Sequence, residues 1–279
     1  MKLCFNEGTT MENSTLALDL EFAEKYGYDF IEIRMRKMRA YIGERSLKEL
    51  VAFFEKNRIK PYAFNTLEYV TFRDVADYKK IKEDLVFLCE TGSKIGCHYT
   101  VVVPSFDVTY TRGRIKEETV SVLKDLSDVA EKYDMNLAFE FVGYPNCSVN
   151  TLEQAYEIVE TVNRKNVGLV LDCFHFYAMH SRIETLKHIS PDKIFIFHIN
   201  DTNDFPVGAL RDHHRVWPGD GVIDLDQILS TLKGIGYDRM ASIEVFNQDY
   251  YELPPEKAIR VGKEKMTTVL RKHFSIPSE

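Results

Sequence analysis

Short runs dominated by large apolar and β-branched residues recur along the chain, at 2–7 (KLCFNE), 30–35 (FIEIRM), 60–65 (KPYAFN), 99–105 (YTVVVPS), 136–142 (NLAFEFV), 167–172 (VGLVLD), 193–199 (KIFIFHI) and 240–246 (MASIEVF). Their length and composition predict strands. Between them the apolar positions recur three and four apart, predicting helices over 15–27, 46–57, 77–96, 117–133, 151–163, 182–188, 225–236 and 255–274. Several of these segments open on Ser, Thr or Asp and close near Gly or Asn, residues that begin and end helices. Strand and helix alternate throughout with no Pro-, Gly- or Ser-rich linker, which predicts an α/β fold with a parallel sheet. Eight such units in 279 residues is the count and size of a single (β/α)8 TIM barrel, one domain over 1–279. An open doubly wound sheet is the other arrangement of the same elements.

Alternation within the later strands says which residues face the barrel interior. Ala138 and Glu140 share one face of their strand, opposite Leu137, Phe139 and Phe141. Gly168, Val170 and Asp172 share another; Ile194, Ile196 and His198 a third; Met240, Ser242 and Glu244 a fourth. Four successive strands thus each deliver one metal-capable side chain near the carboxyl end, where barrels of this kind open to solvent and do their chemistry. Singly, each has an ordinary explanation, since a carboxylate at a strand end often caps the next helix and a lone His is often a hydrogen-bonded core residue. Together they are harder to dismiss, because three carboxylates converging without a cation would repel one another. One divalent metal removes that repulsion, and three oxygen donors with one imidazole suit Mn²⁺, Co²⁺ or Zn²⁺ better than a soft-thiolate metal.

Other polar residues fall just beyond the strands. His175 follows Asp172 by three residues, and Asp201 follows His198 by three, a position from which it could orient an imidazole. The segment DHHRVWPGDG (212–221) holds Arg215, suited to binding substrate oxygens, and the sole tryptophan, Trp217, a pocket wall or a loop anchor. His213 and His214 read as solvated loop residues. Glu32, Asn6 and Asn65, near the ends of the first three strands, are plausible residues of the mouth, although Asn at a strand end also forms turns.

Composition narrows the partner. A formal charge of −7 works against a phosphate-backbone ligand, so no nucleic-acid partner is expected. Five scattered cysteines with no C-x-x-C pair indicate neither a disulfide framework nor a zinc knuckle, and fit a reducing cytosol. No run approaches a membrane span or a signal peptide. A cytoplasmic protein acting on a small molecule is the expectation, with its oligomeric state left open. No clustered basic loop or Gly-rich phosphate cradle follows strands seven and eight, so the substrate is expected to be unphosphorylated.

The pattern Glu140, Asp172-x-x-His175, His198-x-x-Asp201, Arg215-x-x-Pro-Gly and Glu244 resembles the sugar-phosphate isomerase/epimerase superfamily of barrels that also contains the AP endonucleases. MKLCFNE, LEFAEKYGYDFIEIR, EFVGYPNCSVNTLEQAYEIV, NVGLVLDCFHF, RVWPGDG and IEVFNQDYY resemble, within it, the inosose isomerases of myo-inositol catabolism. The likeness extends over essentially the whole chain. It implies metal ligands at Glu140, Asp172, His198 and Glu244 and substrate contacts at His175 and Arg215. The implied reaction interconverts 2-keto-myo-inositol and 1-keto-D-chiro-inositol, with Glu140 and Glu244 moving the proton through an enediolate. A ketose 3-epimerase would share the four ligands, yet related epimerases carry a further Glu where this chain has Asn146. An inosose dehydratase differs only in which group leaves. An AP endonuclease needs further histidines that FNTLEYV and VVVPSFD do not supply, and a non-catalytic sugar-binding protein needs only the pocket.

Overall fold

The computed structural model describes residues 1–276. Its eight barrel strands are β1 (Lys2–Asn6), β2 (Phe30–Arg34), β3 (Lys60–Leu67), β4 (Tyr99–Val102), β5 (Asn136–Glu140), β6 (Val167–Asp172), β7 (Ile194–Ile199) and β8 (Met240–Ile243). Each pairs in parallel with its sequence neighbours, and β8 returns to pair with β1, which closes the sheet. A parallel pair must be joined by a crossover, and the helices anticipated from the apolar periodicity supply the crossovers. Thr15, Ser46, Asp74, Thr111 and Thr151 each cap one of them by accepting a backbone N–H three residues on.

The alternation within strands sorts the core into two layers. Cys4, Ala63, Val101, Ala138, Val170, Ile196 and Met240 pack together inside the barrel. Leu137, Phe139, Leu169, Leu171 and Phe197 point the other way, into the larger core beneath the helices. Aromatic rings close the amino end, with Tyr62 stacked on Tyr99 at 5.1 Å and Phe195 set edge-on to Tyr99 at 5.4 Å. Gly168 makes room for that plug: a β-carbon there would lie 2.7 Å from the Phe195 ring and from the Lys193 carbonyl. Small residues low in the barrel and acids high in it go with a cavity at the carboxyl end.

Three features differ from the sequence expectation. A helix over Met35–Glu44 follows β2 directly, with no side-chain cap at Arg34 and only Met38 and Tyr41 buried. So thin an apolar stripe among basic residues leaves little periodic signal. A second helix, Cys173–Ala178, begins on Asp172. Strands β4, β5 and β8 end two or three residues earlier than their apolar runs, because the chain turns outward at the mouth. The long connection after β7 is tied down by an antiparallel pairing of Asp201–Thr202 with Arg215–Val216. Among the described residues no helix is long and apolar enough to cross a membrane.

Candidate metal centre and active-site cavity

Glu140 ends β5, Asp172 ends β6, His198 is the penultimate residue of β7, and Glu244 follows β8 directly. Strand register keeps them within two residues of one another: Glu140 lies beside Val170, two residues before Asp172, Asp172 beside His198, and His198 beside Ser242, two residues before Glu244. One ligand atom from each of the four falls within 4.8 Å of all the others, and all four side chains are buried. His198 Nδ1 stands 3.2 Å from Glu140 Oε1, 3.1 Å from Glu244 Oε2 and 3.7 Å from Asp172 Oδ2.

The electrostatics are set by burial, which His198 and Arg215 offset at the acids. Burial pushes the Glu140 carboxyl up to about 7, against the pull of His198. Burial works against ionisation of Asp172 too, yet the Arg215 guanidinium holds its carboxyl down at about 2. Glu244 is also buried and is kept below the usual range by His198 and then Arg215. Burial would lower the His198 imidazole, but Glu244 and Glu32 raise it well above its ordinary value. A compact, buried set of three carboxylates and one imidazole is a donor set that fits a divalent cation of the Mn²⁺, Co²⁺ or Zn²⁺ type.

The two oxygens of Asp172 have different partners. Oδ1 caps the Cys173–Ala178 helix by accepting the His175 N–H at 2.7 Å. Oδ2 faces the cluster and accepts from Arg215 Nη1 and Asn200 Nδ2, each at 2.7 Å. Asn200 also accepts the Phe174 N–H at 2.8 Å, so it ties the end of β7 to this helix. Asn200 carried no signal in the sequence beyond lying between His198 and Asp201.

His175 and Arg215 are brought together. Arg215 is fully buried and donates from Nη2 to His175 Nε2 at 3.1 Å and from Nε to Asp212 Oδ1 at 3.0 Å. Every donor group of Arg215 that reaches the centre thus meets a protein acceptor, so this guanidinium sits behind the cavity wall. His175 lines the cavity, and its Nδ1 has no hydrogen-bond partner among the described residues.

The remaining candidates divide. Asn6 and Asn65 do reach the mouth, both donating to Glu244 Oε1, at 2.9 and 3.1 Å. Glu32 lies beneath it, with its two oxygens 3.1 and 3.2 Å from His198 Nε2. Asp201 orients no imidazole; its carboxylate accepts the backbone N–H groups of Thr202, Gly219, Gly221 and Ile223 and so folds the long loop. Trp217 is an anchor, stacked on Tyr250 at 4.3 Å. His213 is exposed as expected, yet it sits on the cavity rim, where the Asp212–His214 turn leans over the mouth.

The cavity holds about 390 Å³ and is walled by Glu140, Tyr144, His175, Glu244, Phe246 and Tyr251 among others. That is the size of a small-molecule site. Acidic side chains converging at the carboxyl mouth of a closed parallel barrel give the chain the layout of a barrel enzyme. The chain belongs to the xylose isomerase-like TIM barrel family, whose model matches residues 20–269. It is 51% identical to the inosose isomerase of Bacillus subtilis (strain 168) over 278 residues, covering 99% of this chain and 100% of that one. It is 49% identical to the inosose isomerase of Halalkalibacterium halodurans, covering 99% of each. A crystal structure described as IOLI protein with a bound zinc atom superimposes with a TM-score of 0.97 at 51% identity, covering 99% of this chain and all of that one. The chain is an isomerase of this family.

Proposed function

We propose that this chain, acting as one barrel domain over 1–279, interconverts 2-keto-myo-inositol and 1-keto-D-chiro-inositol in the cytoplasm, as a step of myo-inositol catabolism. The observation that carries the reading is the buried set of Glu140, Asp172, His198 and Glu244 at a cavity of about 390 Å³, in a chain whose full-length relatives are named inosose isomerases. Five buried cysteines, none in a disulfide, support a reducing compartment.

A divalent cation held by those four residues supplies Lewis acidity to a ketone and its neighbouring hydroxyl, which makes the intervening C–H acidic enough to lose. The protein's own groups do the rest. Glu140, whose carboxylate lines the cavity, is placed to accept that proton from carbon and return one to the former carbonyl carbon. The hydroxyl proton passes between the two oxygens, so the reaction is an isomerisation with no net loss. Glu244, held on Oε1 by Asn6 and Asn65, reaches the same ring from another strand and shares this work. Arg215 donates into His175 Nε2, which leaves the hydrogen on Nδ1 and fixes the ring that lines the cavity. Arg215 acts on the substrate through His175 and by holding Asp172.

An unphosphorylated substrate is supported by Asp201. In many barrels the loops after strands seven and eight bind phosphate through backbone N–H groups. Here a carboxylate of the chain itself already takes up four such groups.

Proton NMR of 2-keto-myo-inositol with metal-loaded protein in D₂O tests the reading. Appearance of 1-keto-D-chiro-inositol with deuterium beside the carbonyl, abolished by EDTA, is the expected result. Deuterium entry with no new ketone would move the substrate to another ketose, and neither signal would reject the reaction.

A further inference from the structure

We propose that Glu32 is the positioning residue of the metal centre, holding the hydrogen of His198 on Nε2 so that Nδ1 is the nitrogen that ligates. The proposal rests on the reading that Glu140, Asp172, His198 and Glu244 hold a cation, and goes beyond it by assigning a fifth residue and a ligating atom.

Glu32 sits on the inner face of β2, fully buried and level with Asn6 of β1. A carboxylate with no exposure needs hydrogen-bond donors or a cation nearby, and its position is otherwise costly. Among the described residues it has one side-chain hydrogen-bond partner, His198 Nε2, at 3.1 Å from Oε1 and 3.2 Å from Oε2. No Lys or Arg among them forms an ion pair with it; Lys37 pairs instead with the buried acids Glu7 and Asp19. An ionised carboxylate only accepts hydrogen bonds, so Nε2 must carry the hydrogen.

The imidazole is then fixed from both sides. Its other nitrogen, Nδ1, lies 3.1 to 3.7 Å from oxygens of Glu140, Glu244 and Asp172. Turning the ring over would exchange both nitrogens for carbons and break every one of these contacts. A ligating histidine whose far nitrogen donates to a carboxylate is a better-oriented and more basic donor, and loss of such a partner costs about 10- to 100-fold in metal affinity. Sequence reading placed Asp201 in this role from its spacing to His198. The barrel instead supplies the partner from β2, three strands away from β7 through β1 and β8, which only closure of the sheet brings near.

The test uses the whole protein with histidine nitrogen-15 label and zinc as the probe. Wild type, Glu32→Gln and Glu32→Ala are titrated with zinc in competition with a chelator, and the His198 ring nitrogens are assigned against His198→Asn. The expected wild-type spectrum has hydrogen on Nε2, with zinc shifting Nδ1. Glu32→Gln, whose amide oxygen still accepts from Nε2, should keep that tautomer and bind zinc about 10-fold more weakly. Glu32→Ala should bind more weakly again, toward 100-fold, so that Gln restores part of the loss. Zinc on Nε2 in the wild type, or equal zinc affinity in all three proteins, would overturn the proposal. Should Glu32→Ala fail to fold, the wild-type tautomer and the Glu32→Gln affinity decide alone. Wild-type protein that takes up no zinc would reject the metal reading itself, and this assignment with it.

Discussion

The side-chain amide of Asn6 donates to Oε1 of Glu244 at 2.9 Å, joining the first and last barrel strands across 238 positions of sequence. Asn65 donates to the same oxygen at 3.1 Å. Two neutral donors on one oxygen leave Oε2 as the atom of Glu244 that faces His198, at 3.1 Å. The seam where the barrel closes is therefore also the place where one of its acidic side chains is aimed.

Removing one of these donors should loosen that aim. A hydrogen bond to a buried charged group contributes about 1.5–3 kcal/mol, so Asn6→Ala is expected to weaken metal binding by about tenfold or more. The Asn6→Ala, Asn65→Ala double variant should be weaker than either single change, though less than additively, because both act on one oxygen. Calorimetric titration with zinc or manganese measures this directly.

Glu140 has the proton-transfer role and should show it in turnover. Glu140→Gln keeps the shape of the side chain but cannot accept a proton from carbon, and kcat is expected to fall by about 10²- to 10⁴-fold. A Glu140→Gln protein with unchanged kcat and full metal occupancy would remove Glu140 from the proton path.

Metal uptake should depend on pH around neutrality. With the Glu140 carboxyl pushed up to about 7 by burial, a cation arriving below that pH must displace its proton, whereas above it the ligand is already ionised. Apparent affinity is expected to fall by up to about tenfold per pH unit for each proton displaced, most steeply below 7, and to go on rising above 7 because His198, raised well above its ordinary value, must also give up a proton. Chelator competition between pH 5.5 and 8.5 reads the profile, and a flat profile across the range would contradict the expectation.

Gly143 sets the distance between the loop after β5 and the helix that carries His175. A β-carbon at Gly143 would lie 2.6 Å from the His175 carbonyl oxygen and 2.8 Å from its Cα, both backbone atoms. Gly143→Ala must therefore displace the His175 backbone. Misplacement on this scale is expected to reduce kcat/KM by about 10²-fold, while zinc affinity falls less, because of the four ligands only Asp172 is hydrogen-bonded to the backbone that moves. Parallel kinetic and zinc-binding measurements on this variant separate the two sites.

Much of this architecture was legible before any folding. The period-2 runs and the 3.6-period segments identify eight strands and their crossover helices, and the alternation of Ala138 with Glu140, or Val170 with Asp172, tells inside from outside. Those signals are strong because burial of an apolar face acts on every turn and every second residue. The Met35–Glu44 helix was not legible, since only Met38 and Tyr41 of it are buried and basic residues surround them.

For the site, sequence by itself determined which residues could meet: Glu140, Asp172, His198 and Glu244 lie on one face at the same end of consecutive strands, which are neighbours once the sheet closes as a barrel. Which atoms do what was decided by the tertiary structure alone. Closure of the barrel brings Glu32 of β2 under His198 of β7 and Asn6 of β1 beside Glu244 after β8, contacts with no signature in spacing along the chain. The loop after β7 turned Asp201 away from the imidazole because four backbone N–H groups there needed an acceptor. It also drew Arg215 under the wall, where Asp172 and His175 both needed its charge. Local periodicity reports burial one residue at a time; hydrogen bonding in a closed barrel is settled between residues that share a layer, however far apart they are in sequence.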